Sequence, residues 1–471
     1  MLLTNNKTQS ISGMETLSQK GSVEHERYAK ECNINQIAEN NATDVNLSDG
    51  KLLEQILSPA NLNTAYQRVK SNKGSHGVDG MQIKELLQYL KTHGESIRQL
   101  IMKGKYKPNP VRRVEIPKEC GKTRPLGIPT VVDRVIQQAI SQVLIPIYER
   151  QFSDNSFGFR PNRSTHGAIR RCQEHIDAGY VYVVDMDLAK FFDTVNQSKL
   201  IEVLGRTIKD GKVISLIHKY LRAGVIVKHS YKETTEGVPQ GGNLSPLLSN
   251  IMLNELDKEL LSRGHRFVRY ADDLMIFCKS KRAAERTLNN IIPFIEKKLF
   301  LQVNKEKTVV DYVSKVKFLG ISFYRHKGAS RVKIHPKSII KMKAKIKELT
   351  SRSNGWSNAK RIEKLRLYIR GWVNYFKIAD IKSLLVKTDE WMRRRIRMIY
   401  WKQWKKIKTK YENLTLYGIS ESQAWEFANT RKSYWHIANS PIMSKTLQNN
   451  VLRQMGYLFF YDYYLKMNDV S

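Results

Sequence analysis

Three aspartates carry the strongest chemical signal in the chain. Asp187 closes the apolar run YVYVVDMDL (180–188), where an ionised carboxylate is costly unless a cation or hydrogen bonds compensate it. Asp272 and Asp273 stand between two further apolar runs, FVRY (267–270) and LMIFC (274–278). Adjacent carboxylates repel, and a divalent cation is the commonest way to keep several of them ionised together. Turn building alone accounts for an isolated Asp pair. A strand-end Asp, a Gly/Pro turn and an Asp pair on a hairpin, in that order within a strongly basic chain, point further. Two carboxylates that bridge two Mg²⁺ ions about 3.5–4 Å apart can activate a 3′-hydroxyl and stabilise a pyrophosphate leaving group in nucleotidyl transfer.

The elements that must position these groups are legible as mixed α and β. LLEQIL and NLNTAYQRVK read as short helices, KGSHGVDG (73–80) as a Gly-rich turn, and 83–102 as a helix. The segment VRRVEIPKECGKTRPLGIP (111–129) predicts two strands joined by a turn, followed by the helix VVDRVIQQAISQVLIPIYERQF. YVYVVDMDL predicts a strand, and FVRY with LMIFC a tight hairpin with its acids at the tip. GVPQGGNLSPLLSNIMLNELDKELL (237–261) predicts a Gly/Pro turn feeding an amphipathic helix, and KFLGISFY (317–324) a short strand. After about residue 335 the chain turns helical and very basic.

The composition narrows the class of partner. The 471 residues contain 80 Lys and Arg against 44 Asp and Glu, so 80 − 44 leaves a formal charge of +36. Such an excess points to a polyanion, nucleic acid first among them. Residues 1–50 are acidic instead, at 4 − 7 = −3, and read as a flexible polar leader. No apolar stretch is long enough for a membrane span, and the N-terminus lacks a signal-peptide pattern, so a cytoplasmic protein is expected. Cys32, Cys120, Cys172 and Cys278 show neither zinc-site nor disulfide spacing and are expected as reduced thiols.

The segments KTRPLGIP (122–129), SFGFRPNRST (156–165), VDMDLAKFFDTV (184–195), GVPQGGNLSP (237–246), YADD (270–273), LQVNKEKT (301–308) and FLGISF (318–323) resemble the ordered blocks of a group II intron reverse transcriptase. LRLYIRGWVNYF (365–376) resembles the thumb and maturase region of that family. The resemblance implies an α+β right-hand polymerase with fingers and palm of mixed α and antiparallel β, an α-helical thumb, and a small helical C-terminal segment. Its implied boundaries are 51–330 for fingers and palm with an N-terminal extension, 331–410 for the thumb/maturase domain, and 411–471 for a DNA-binding segment.

By motif, the resemblance makes Asp187, Asp272 and Asp273 catalytic and metal-binding, with the backbone carbonyl of Leu188 contributing. The ions would be two Mg²⁺, with Mn²⁺ as an alternative. Phe192 matches the steric gate that crowds a ribose 2′-hydroxyl and favours dNTPs. Lys118 and Arg124 would hold the incoming triphosphate, Gln240 would pack near nucleotide and template, and Lys307 falls where related polymerases place a general acid for pyrophosphate.

The run RRRIRMIYWKQWKKIKTK (393–410) holds nine Lys/Arg and no acid, and Ile396, Tyr400 and Trp404 could form the buried stripe of a helix with cationic remaining faces. Nine like charges repel, so a phosphate backbone accounts for Arg393, Arg394, Arg395, Arg397, Lys402, Lys405 and Lys406 better than solubility does. Trp372, Tyr375 and Phe376 fit core positions better than base stacking.

The partners implied are the group II intron RNA, an RNA template with a DNA primer, target DNA and dNTPs, with a homodimer left open. No Cys follows Cys278, so the paired Cys and His ligands of the endonuclease module in larger members are not expected, and target-primed synthesis would need another source of primer. Two alternatives stand beside an RNA-directed DNA polymerase that assists splicing: an RNA-binding splicing cofactor with a vestigial polymerase, and a reverse transcriptase serving another purpose.

Overall fold

A computed structural model describes residues 51–117, 123–228 and 230–468. The leader 1–50 and Lys118 lie outside the described residues. The chain divides into two compact units after Tyr312.

The first unit holds two sheets. One has the order β2-β1-β4-β5, built from β1 (Val111–Pro117), β2 (Thr123–Ile128), β4 (Val225–Val227) and β5 (Ser230–Lys232). It includes one parallel pair, β1 with β4, so it is mixed rather than purely antiparallel. The other has the order β6-β7-β3-β8, from β3 (Tyr182–Met186), β6 (Arg266–Tyr270), β7 (Asp273–Cys278) and β8 (Val309–Tyr312), and all its pairings are antiparallel. Its strands are short and apolar because helices cover it. Lys281–Lys297 packs on β3, β7 and β8, and Thr165–Asp177 and Ser245–Ser262 pack on β6.

Three expectations are corrected here. The strand leading to Asp187 ends at Met186, so the carboxylate stands just beyond the sheet. The hairpin loop consists of Ala271 and Asp272 alone, since Asp273 already pairs with Tyr270 as the first residue of β7. The helix after the Gly/Pro turn, Ser245–Ser262, is not amphipathic: Leu247, Leu248, Ile251, Met252, Leu256 and Leu260 are buried, and so are Asn250, Asn254 and Asp257. Apolar residues all round a helix mark one enclosed by its neighbours.

The second unit opens with the hairpin of β9 (Ile321–His326) and β10 (Ala329–Ile334). The strand expected at 317–324 starts late, because Leu319 (φ 48°) and Gly320 (φ 81°) form a left-handed turn ahead of it. The long helices Pro336–Leu349, Asn358–Phe376 and Lys382–Gln403 follow, then short helices ending in Phe460–Asn468. Trp372 and Phe376 are core residues: their rings lie 4.7 Å apart, and Trp372 meets Phe460 edge-on at 5.5 Å. Asp389, 2% exposed, accepts the backbone N–H groups of Phe460 (2.9 Å) and Tyr461 (2.8 Å), so a carboxylate from one helix caps the first turn of the last.

Candidate active site

β3 and β7 run antiparallel with Met186 opposite Leu274. Asp187 is the residue after Met186 on one strand and Asp273 the residue before Leu274 on the other, with Asp272 in the adjoining loop. Asp187 is fastened by its backbone: its N–H donates to Thr308 Oγ1 (3.3 Å), and its carbonyl accepts from the Asn304 N–H (2.8 Å). The Ala189 N–H donates to the Gln302 carbonyl (2.8 Å), which sets Leu188 against Val303 in an isolated bridge. Lys307 Nζ lies 3.3 Å from Asp187 Oδ2, both side chains being partly exposed. The structure thus joins Lys307 to Asp187 across 120 residues of sequence.

The Asp272 turn has its own support, which sequence reasoning missed. Ala271 adopts φ 57°, a left-handed conformation unfavourable for a residue with a Cβ. Its carbonyl accepts from Arg269 Nη1 (2.9 Å), and Arg269 also donates to Asn250 Oδ1 (3.0 Å) and to both carboxylate oxygens of Asp257 (2.7 and 2.5 Å). Arg269 and Asp257 are fully buried, so each charge is compensated by the other and by hydrogen bonds. Gly158 closes the turn from the far side. A Cβ there would fall 2.2 Å from the Ala271 nitrogen, and its carbonyl accepts from Asn250 Nδ2 (2.8 Å). The available signal was the arginine inside the apolar run FVRY.

A second cluster forms at the Gly/Pro turn. Gln240 accepts from Arg124 Nε (2.9 Å) and donates to Asp193 Oδ1 (3.3 Å), while its carbonyl accepts from the Gly127 N–H (2.6 Å). Three expected site segments therefore meet through one amide. Phe192, next to Asp193, is 9% exposed with its ring edge-on to Phe191 at 5.2 Å, and its carbonyl accepts the Val238 N–H (2.6 Å). Gly237, at φ 82°, is compulsory here, since a Cβ would meet the carbonyl oxygens of Phe192 and Asp193 at 2.9 and 2.8 Å.

The basic run in the second unit behaves differently from a solvated cationic face. Ile396 and Trp404 are buried and Tyr400 half-buried as expected, but Met392, Met398, Ile399 and Trp401 are buried as well. The helix is enclosed on several sides, and its cations are turned to the protein. Arg393 lies over the Phe459 ring (5.4 Å), and Arg394 over Trp435 (3.9 Å). Arg395 donates to Thr350 Oγ1 (2.5 Å) and the Lys347 carbonyl (3.1 Å), and Arg397 to the Leu447 carbonyl (3.1 Å). Lys402 donates to the Arg352 carbonyl (3.0 Å), whereas Lys405 and Lys406 are exposed.

Among the described residues, no group of three or more His, Cys, Asp or Glu side chains is gathered as a metal site. Asp187 and the Asp272–Asp273 pair nonetheless offer hard carboxylate oxygens of the type Mg²⁺ takes, from one or two carboxylates with the remainder supplied by water and substrate phosphates. The cation already at Asp187 Oδ2, Lys307 Nζ, marks where positive charge is favoured. No described helix is long and apolar enough to cross a membrane.

Residues 116–323 match the family described as reverse transcriptase (RNA-dependent DNA polymerase), and residues 339–418 match the group II intron, maturase-specific domain. The chain is 36% identical to Protein YkfC of Escherichia coli (strain K12) over 313 residues, covering 58% of this chain and 82% of that protein. It is 30% identical to the group II intron-encoded protein LtrA of Lactococcus lactis subsp. cremoris over 393 residues, covering 67% of this chain and 62% of that one. It is 31% identical to the putative COX1/OXI3 intron 2 protein of Saccharomyces cerevisiae, covering 61% of this chain and 40% of that one.

Proposed function

Since this chain belongs to the group II intron reverse transcriptase and maturase family, we propose that it is an RNA-directed DNA polymerase that also binds its intron RNA and assists splicing. The observation that supports the polymerase reading is that β3 and β7 pair antiparallel up to Met186 and Leu274, so Asp187 follows one strand end and Asp272–Asp273 precede the other. Asp187 and Asp272 would hold two Mg²⁺ ions, with Asp273 beside them. Such ions, when bound, supply Lewis-acid stabilisation of the attacking and leaving oxygens.

The chain's own residues would do the rest. Arg124, oriented by Gln240, would neutralise the incoming triphosphate, where a planar guanidinium suits phosphate geometry. The Phe192 ring, fixed by Phe191, would crowd a 2′-hydroxyl and so favour deoxynucleotides. Lys307, already at the carboxylate, would deliver a proton towards pyrophosphate.

Splicing chemistry would remain with the RNA, for which the second unit offers basic surface and shape. Residues 331–410 would serve as thumb and maturase region and 411–471 as the DNA-contacting segment, supporting mobility by target-primed reverse transcription in a cytosolic ribonucleoprotein.

The test is primer extension on an RNA template annealed to a DNA oligonucleotide, with dNTPs and Mg²⁺ and an rNTP control. Asp272→Ala is expected to abolish synthesis while leaving intron RNA binding nearly intact. Folded, RNA-binding wild-type protein without synthesis would transfer the reading to a splicing cofactor.

A further inference from the structure

Two consecutive aromatic residues in the second unit are left half-open to solvent, and each is covered by an arginine from elsewhere in that unit. Tyr434 and Trp435 begin the short helix Tyr434–Ile437, and each is 37% exposed. The Arg352 guanidinium lies over the Tyr434 ring at 4.9 Å from its centroid, and that of Arg394 over Trp435 at 3.9 Å. Arg394 also donates to the Trp435 carbonyl (3.0 Å), and Ser433 Oγ accepts the His436 N–H (3.4 Å) at the start of the turn. Ile437, 1% exposed, anchors the same turn in the core, so the two rings are not needed to bury it.

The segment that carries these rings is one-sided in charge. No Asp or Glu occurs from 427 to 461, and in Lys382–Gln403, the helix that supplies Arg394, none follows Glu390. Arg431, Lys432 and His436 are exposed beside the rings. A large indole and a phenol held open among cations fit an anionic ligand with flat apolar faces. Unpaired nucleobases on a phosphodiester chain have that chemistry: they stack on aromatic rings and on guanidinium planes, while a duplex keeps its base faces covered.

We propose that Tyr434 and Trp435, backed by Arg352 and Arg394, form a stacking site for unpaired bases of a single-stranded nucleic acid. This rests on the DNA-contacting role proposed for residues 411–471 and names its ligand as single-stranded. The guanidiniums hold the rings in place and offer charge to the adjoining phosphates. Arg394 thus belongs to this site through Trp435 rather than to a row of free phosphate contacts.

The test uses the full chain and fluorescence anisotropy with four labelled probes: a short oligodeoxythymidylate, an oligouridylate, an abasic deoxyribose-phosphate strand and a duplex. Tyr434→Ala and Trp435→Ala are each expected to weaken binding of the base-bearing strands by roughly tenfold, with abasic-strand and duplex affinity unchanged. Comparison of the thymidylate and uridylate arms identifies DNA or RNA as the ligand. If Trp435→Ala lowers the melting temperature, Trp435→Phe and Trp435→Leu decide instead, Phe retaining affinity and Leu losing it. Equal loss on abasic and base-bearing strands, or no loss on either, would overturn the stacking site while leaving the DNA-contacting role standing. Failure to bind any probe would remove both, and the polymerase reading is judged separately by primer extension.

Discussion

Ala271 holds a left-handed backbone at φ 57° only because the residues around it leave no alternative. Gly158 is the residue most sensitive to this, since a Cβ would strike the Ala271 backbone nitrogen at 2.2 Å and backbone cannot swing aside. Gly158→Ala is expected to shift the Asp272 turn and slow primer extension on the order of a hundredfold, the cost of an ångström-scale misplacement, while RNA binding changes far less. Phe192→Val is expected to relax discrimination between dNTPs and rNTPs in single-nucleotide incorporation, and unchanged discrimination would remove the gate assignment. The motifs that hold the aspartates, Phe192, Arg124 and Gln240 were legible because each is short and its residue types suffice to suggest a chemistry, which the two variants above would test. Arg269 and Asp257 were not, because an arginine in an apolar strand has no visible purpose until its carboxylate, asparagine and carbonyl partners converge on it.

Between elements, the buried groups set how the protein responds to mutation and acid. Arg269→Leu alone leaves the Asp257 charge buried and unpaired, and a loss of roughly 3–5 kcal/mol is expected, most of it recovered when Asp257→Leu is added. Urea unfolding of the single and double variants checks this. Under β6 and β7, His175 is buried with its ring against Phe277, and burial, then the charges of Arg171 and Arg266, hold its pKa down at about 4. The unfolded chain takes up that proton near the ordinary value of about 6.5, so stability from the neutral ring is intact above that pH and is lost as pH falls through about 4. Asp389 behaves oppositely: burial raises its pKa to about 6 against the capping hydrogen bonds of Tyr461 and Phe460. Its contribution is present below the ordinary carboxylate range and is lost as pH rises through about 6. All seven tryptophans lie after Tyr312, so tryptophan-monitored urea midpoints report the second unit. Between pH 4 and 7 wild type is expected to show a loss of stability there that Asp389→Asn removes. His175→Gln should flatten the acid side of the far-ultraviolet dichroism transition instead.

At the scale of the whole molecule, a formal charge of +36 predicts nucleic-acid binding that weakens steeply with salt. The exposed Lys405 and Lys406 are the residues of the basic run best placed to meet phosphate. Replacing each with Gln is expected to lower the log–log salt slope of RNA binding by roughly 0.7–0.9 per contact. Arg395→Ala should instead lower the melting temperature, because its guanidinium ties Lys382–Gln403 to Thr350 and the Lys347 carbonyl. The sequence by itself determined the mixed α and β organisation, the order of the motifs, the acidic character of residues 1–50 and the strong positive charge of the remainder, because these depend on residue type and periodicity. Only the tertiary structure decided which charges are available. Asp187 meets Lys307 across 120 residues and Arg124 meets Gln240 across 116, and arginines that read as a free cationic face are consumed by carbonyls and rings of neighbouring helices. A side chain's partners depend on what the fold brings within hydrogen-bonding distance, and no local pattern of residues records that.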